Sequence, residues 1–283
     1  MKTFVIPMWL ALLCSCSNGI TTDAGIGDQG FEAKRYDPQR ATGAQTSAGQ
    51  HAMRAHQDRA VAYEATSYAV LEAEAAMAGA SLDSRVAHQF AGSICSSRSR
   101  PEGDLPESVQ TSYRELARFQ SRFCSGSEGY APQLFFDFIS AAAADGDRDA
   151  LVIQELSRIP EDVTPEEVEE LRTVALAQAR ATSSATAYRM IHEDLLQNAF
   201  RPDYAAPIGL SDEEAALARG LGVAIATCDR FGACVPGSIM VMAYCQPFSC
   251  TPGHDMRAHV RSRLSARGFE EALRYAREIQ SKE

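Results

Sequence analysis

Charge of one sign is nowhere massed in this chain: no run of five like charges occurs, and acids alternate with bases along helical faces. With a formal net charge of -10, that pattern excludes a nucleic-acid or anionic-membrane footprint and describes solvated surface. There is no CxxC, GxSxG elbow, HExxH, SxxK or EF-hand pattern. Nothing local therefore specifies a metal cage or an activated nucleophile, and no cofactor is expected. No stretch alternates with period two long enough to make a strand. What is left is an all-α chain of 283 residues, long enough for one large domain or two small ones around a packed core.

What the chain does have in quantity is cysteine. The residues from Cys228 to Cys250 hold two close pairs, Cys228 with Cys234 and Cys245 with Cys250, flanking one apolar run at 239–244. Upstream lie Cys95 and Cys124. Of the eight cysteines, six remain once Cys14 and Cys16 near the amino terminus are set aside, and in an oxidising compartment six imply three bridges, for which sequence alone allows 15 connectivities. Short loops favour Cys228–Cys234 and Cys245–Cys250, leaving Cys95–Cys124; a crossed pairing of the last four is the alternative. Zinc is the competing reading, but the spacings suit a structural zinc site poorly, so no metal is assigned.

The amino terminus argues for export. Lys2 is a minimal positive region, residues 4–13 are apolar, and Leu13, Cys14, Ser15 and Cys16 follow. That stretch is too short to span a bilayer, which needs about 20 residues. Residues 1–16 read as an export signal. The ending resembles the lipobox of bacterial lipoproteins, which implies lipidation of Cys16, and Ser17 resembles those sent on to the outer membrane. Simple secretion is the alternative, because Ser15 and Ser17 also form a small-x-small cleavage site. Residues 17–50 are small and polar, with a reach on the order of 30 Å, and read as a tether.

Residues 51–283 form the expected helical domain. Alanine-rich 51–79 predicts one long helix, and a second runs from Leu82 to about Cys95. Another starts near Pro106, with Leu116, Phe119 and Phe123 on one face; a Cys95–Cys124 bridge would suit an antiparallel pair. A helix from Pro132 stops at Asp145, Gly146 and Asp147, and the next carries Leu151, Val152, Leu156 and Ile159, making an αα-hairpin. Thr164, Pro165 and Glu167 form a capping box, Ser183 or Ser184 opens the following helix, and Ser211 with Glu214 repeats the capping-box grammar. Gly220 and Gly222 allow a neighbouring helix to approach closely. Helices from about Asp255 to Leu264 and from Phe269 to Ile279 finish the chain.

The alanines at 141–144, the Asp145-Gly146-Asp147 turn and Ala150-Leu151 resemble the hairpin of Sel1-like repeats, relatives of the tetratricopeptide repeat. The likeness covers about 132–158, with a faint second copy at 205–225. It implies helical hairpins in a compact or short solenoid-like array, here stapled by disulfides, and it implies protein–protein interaction with no catalytic residues to carry over.

Among the histidines, His254 and His259 are five residues apart, which does not place both on one helical face as a zinc pair needs. His254 with Asp255, beside the stapled loop, is the best catalytic candidate; the simpler reading has Asp255 capping a helix and both histidines on the surface. His192, Glu193 and Asp194 point in different directions on a helix, leaving one partly buried histidine. The acids at Glu161, Asp162, Glu166, Glu167, Glu169 and Glu170 flank helix starts, where the macrodipole favours them. The expectation is an exported, lipid-anchored envelope protein on the periplasmic side of the outer membrane that binds a protein partner as adaptor, inhibitor or immunity factor. It touches the membrane only through its anchor and takes no nucleic acid. An envelope hydrolase built around His254 and Asp255, or a small-ligand carrier, is the alternative.

Overall fold

The computed structural model describes residues 62–77, 79–96, 107–127, 135–159, 163–196, 206–232, 234–244 and 253–281. The chain divides into two units, Met1–Arg54 and Ala55–Glu283, and every described residue lies in the second. Among the described residues there are eleven helices and no strand: α1 (Tyr68–Ala76), α2 (Leu82–Ser96), α3 (Glu107–Phe123), α4 (Phe135–Ala144), α5 (Arg148–Ser157), α6 (Pro165–Ala181), α7 (Ala185–Asp194), α8 (Asp212–Phe231), α9 (Ile239–Tyr244), α10 (Met256–Arg263) and α11 (Ala266–Ser281). The all-α expectation holds. Cys16 and the tether lie outside the described residues, as do Cys245 and Cys250.

The first expected helix is corrected. Within its described part the helix breaks at residues 64–67, and Ser67 caps α1 by accepting from the Val70 N–H. Serine competes for backbone hydrogen bonds, so a serine in an alanine-rich stretch starts a new helix rather than extending the old one.

The α4–α5 hairpin follows its sequence closely. Gly146 takes the left-handed conformation (φ +87) that lets the chain reverse, and Asp147 caps α5 by accepting from the Ala150 N–H. Gln154 Nε2 donates to Ser140 Oγ across the hairpin (3.1 Å). Thr164 and Glu167 complete the expected capping box on α6. At α8 the box is only half formed. Ser211 accepts from the Glu214 N–H, but the Glu214 carboxylate accepts from the backbone N–H of Ser265 (3.0 Å), just before α11. That carboxylate therefore joins the start of α8 to the start of α11, at the pole of α11 where negative charge is favoured.

The longest described helix, α8, lies against α11; Leu221, Ala224 and Ile225 of α8 are buried, as are Phe269, Ala272, Tyr275 and Ile279 of α11. Each fully buried leucine or isoleucine contributes roughly 1.5–3 kcal/mol. Gly222 is what permits the approach: a Cβ there would stand 2.7 Å from the Ala272 carbonyl oxygen. Along one edge, Glu271 takes both Arg219 (3.1 Å) and Arg274 (2.7 Å), and Arg274 also reaches Glu278 (2.8 Å).

Cys95 pairs with Cys124 (Cα–Cα 5.5 Å) and Cys228 with Cys234 (Cα–Cα 5.2 Å). The antiparallel pairing expected of α2 and α3 is corrected, because Cys95 and Cys124 each lie at the carboxyl end of their helix. In an antiparallel hairpin the carboxyl end of one helix meets the amino end of the next. Here the two carboxyl ends meet, and Gln120 Nε2 donates to the Ile94 carbonyl beside the bridge (2.6 Å).

Candidate functional site

The polar chemistry of the fold converges on α7, a helix of ten residues against which α2, α5, α6 and α8 all pack. Eight of its residues are buried, and Thr186, Arg189, His192 and Glu193 are among them. Such a helix must satisfy its polar groups internally.

Its amino end is satisfied by a carboxylate from another helix. Asp83 on α2, wholly buried, accepts from Ser184 Oγ (2.6 Å) and from the backbone N–H groups of Thr186 (2.9 Å) and Ala185 (3.3 Å). Ser184 Oγ in turn accepts from the Ala187 N–H (3.1 Å). An anion at the positive pole of a helix, taking charge-assisted hydrogen bonds, is electrostatically well placed. Tyr63 joins this cluster through a hydrogen bond between its hydroxyl and Thr186 Oγ1. Burial first, and Asp83 second, push the phenol of Tyr63 well above its ordinary range, so it stays protonated.

One turn on, Arg189 is 1% exposed. Its guanidinium lies 5.0 Å from the centre of the Phe90 ring and 5.8 Å from that of Tyr244, with the Glu193 carboxylate at 3.8 Å. Tyr244, from α9, donates its hydroxyl to that carboxylate (3.1 Å). Burial works against the arginine's charge, but Tyr244 and Glu193 more than compensate, and the guanidinium holds its proton more firmly than usual. The Tyr244 phenol is pushed up by burial and then by Glu193. Glu193 thus pins α9 to α7.

Around α7, Asp149 on α5 accepts from Gln178 (2.6 Å) and Thr182 (2.7 Å) at the end of α6. Arg230 at the end of α8 donates to the carbonyls of Arg180 (2.7 Å) and Thr182 (3.2 Å), which caps the carboxyl end of α6. Its guanidinium also stacks over Tyr188 of α7 (4.9 Å).

The candidates read from sequence sit elsewhere or do other work. Asp255 is the cap of α10, accepting from the Ala258 N–H (2.8 Å), as the simpler reading expected. His254 precedes it half-buried, with no hydrogen bond to that carboxylate. His259 is wholly buried, which corrects its placement at the surface: it sits on the inner side of α10 beside Met256 and Val260. His192 is buried and packs edge-on against Tyr188 (4.6 Å between centroids). Glu166, Glu167, Glu169 and Glu170 are exposed, as solvated acids should be. No group of three or more His, Cys, Asp or Glu suited to a metal ion occurs among the described residues. No described helix is long and apolar enough to cross a membrane.

Sequence reasoning did not find Asp83, Arg189, Tyr244, Asp149 or Arg230. None stands in a motif, and each acts on a partner at least 20 residues away or on an aromatic face brought to it by folding. The sequence offered Ser183 or Ser184 as the cap of α7, which Ser184 proves to be, and it singled out His192, Glu193 and Asp194 without their partners. Comparison with family models, with curated proteins and with solved structures finds no match.

Proposed function

We propose that the protein is an exported, lipid-anchored component of a bacterial envelope whose helical body binds another protein, as adaptor or as inhibitor. The observation that carries the reading is the run from α4 to α8. Each helix there packs on its successor, and α5 also packs on α7. Consecutive packing of short helices is how helical-repeat proteins build a binding surface, and the segment 141–151, whose sequence resembles a Sel1-like hairpin, spans the end of α4, the turn and the start of α5. The polar side chains support it too. Asp83, Asp149, Arg189, Glu193 and Arg230 are occupied in holding helices together and Asp255 in capping its own helix, so they contribute no converging acid, base and nucleophile. The paired cysteines fit an oxidising compartment and brace a body held on a tether.

Two measurements test this. Labelling cells with radioactive palmitate should mark the intact protein and not a Cys16→Ser variant; label retained by the variant refutes the anchor. Cross-linking in living cells, followed by capture, should recover one dominant protein with the intact chain and lose it with Arg189→Ala, whose packing fails. The recovered protein must then bind the purified body in isolation. Failure of that reconstitution refutes the binding reading.

A further inference from the structure

The two ends of α7 are treated oppositely. Asp83 supplies an anion to the amino end, where helix dipoles favour one. The last turn carries two more carboxylates, Glu193 and Asp194, at the negative pole where they are disfavoured. Glu193 is compensated by Arg189 and Tyr244. Asp194 is not: its Oδ2 is sealed from solvent, and it has neither a hydrogen-bond partner nor an ion pair among the described residues.

Most charged groups on the surrounding elements are committed elsewhere: on α6, Arg172 pairs with Glu169 and Arg180 is exposed. On α2, Asp83 lies at the far end of α7, Arg85 keeps a buried Nε without a hydrogen bond, and His88 bonds to Tyr68. On α5, Asp149 holds the end of α6, and burial drives Glu155 toward its neutral form. From α8, Arg230 is spent on the carbonyls that end α6. From α9 comes only Tyr244, already on Glu193. Among the described charged groups, it is Glu193 that acts on Asp194, and no cation offsets it.

We propose that the carboxyl end of α7 is a proton-binding site, with Asp194 as the acid, and that loss of its proton weakens the Glu193–Tyr244 link that holds α9 on α7. Ionised Asp194 sets a second negative charge beside Glu193, so the two carboxylates repel across the last turn of α7. Burial, and then Glu193, push Asp194 up to about 7, so the switch falls near neutral pH.

Carboxyl-13C-labelled aspartate gives the direct test, with the Asp194 resonance assigned by its disappearance in Asp194→Asn. Its titration midpoint should lie near neutrality; a midpoint near about 4, that of an exposed aspartate, overturns the proposal. Hydrogen exchange of the 239–244 amides, corrected for intrinsic rates, should show roughly tenfold less protection at about pH 8.5 than at about pH 5.5. Asp194→Asn, which copies the neutral acid, should abolish that difference. Equal protection at both pH values, or pH dependence surviving in the variant, also overturns it. Should the variant fail to fold, the midpoint and the exchange of the unaltered protein decide between the two outcomes.

Discussion

Helices α3 and α7 make an instructive pair. The longer one, α3, has seventeen residues and a clear apolar side bearing Leu116, Phe119 and Phe123, opposite exposed Arg114, Arg118 and Arg122. By pattern alone it should be a major element of the core. It does bury Leu116 and Phe123, and its bridge and hydrogen bond to α2, Cys95–Cys124 and Gln120 to Ile94, lie at its carboxyl end. The shorter one, α7, mixes an arginine, a histidine and two acids among its apolar residues, yet it is the element on which four other helices converge. A two-sided pattern marks a helix with one partner and a solvent face. A helix surrounded on all sides has no solvent face to advertise, and its polar residues are legible only once their partners have been folded against them.

This contrast can be broken at its strongest point first. Arg189→Ala should destabilise the fold by about 3–5 kcal/mol, because it leaves the Glu193 carboxylate buried without its counter-ion. Urea unfolding measures it, and replacing Arg189 by methionine and Glu193 by leucine together should recover much of the loss. A cost below about 1 kcal/mol would return α7 to the status of an ordinary surface helix. The bridge comes next. Cys95→Ser with Cys124→Ser opens a loop whose ends are 29 residues apart, and the chain-entropy relation gives about 3–4 kcal/mol. Exchange should show the loss of protection concentrated in α3, with α7 little affected; uniform loss would mean that α3 is as integral as α7.

Asp194→Asn should act in the stabilising direction, and only at higher pH. The acid's affinity for its proton is raised by folding, from 3.8 to about 7. Its favourable contribution is therefore complete below the unfolded value and lost as pH rises through 7. The variant should gain on the order of 1–2 kcal/mol over the unaltered protein at about pH 8 and nothing at about pH 4, as read from unfolding midpoints. Smallest is Gln120→Ala, which removes one side-chain hydrogen bond from α3 and should cost about 1 kcal/mol. The same loss measured in the bridge-free variant would show that bridge and hydrogen bond hold α3 independently.

Local chemistry decided much of the architecture in advance. The caps at Thr164, Ser184, Ser211 and Asp255 all act on backbone groups within three residues of themselves, so spacing alone revealed them. The α4–α5 turn was readable for the same reason, since Gly146 and Asp147 satisfy a reversal that needs nothing from the rest of the molecule. The short-loop pairing of Cys228 with Cys234 likewise needs only proximity along the chain. By contrast, Glu214 stood in a motif and was drawn away from it, because the N–H of Ser265 offered a partner that no local rule could foresee.

By itself, then, the amino-acid sequence determined that the chain is helical, where many of its helices begin and turn, and which cysteines had short loops to close, because these depend on interactions spanning a few residues. Tertiary structure alone decided that α7 is the centre, that Asp83 anchors its amino end, that Arg189 and Tyr244 balance Glu193, and that Asp194 keeps a buried oxygen without a hydrogen bond. Those outcomes turn on burial and on charges brought together from residues far apart in the chain, and neither quantity exists until the helices have packed.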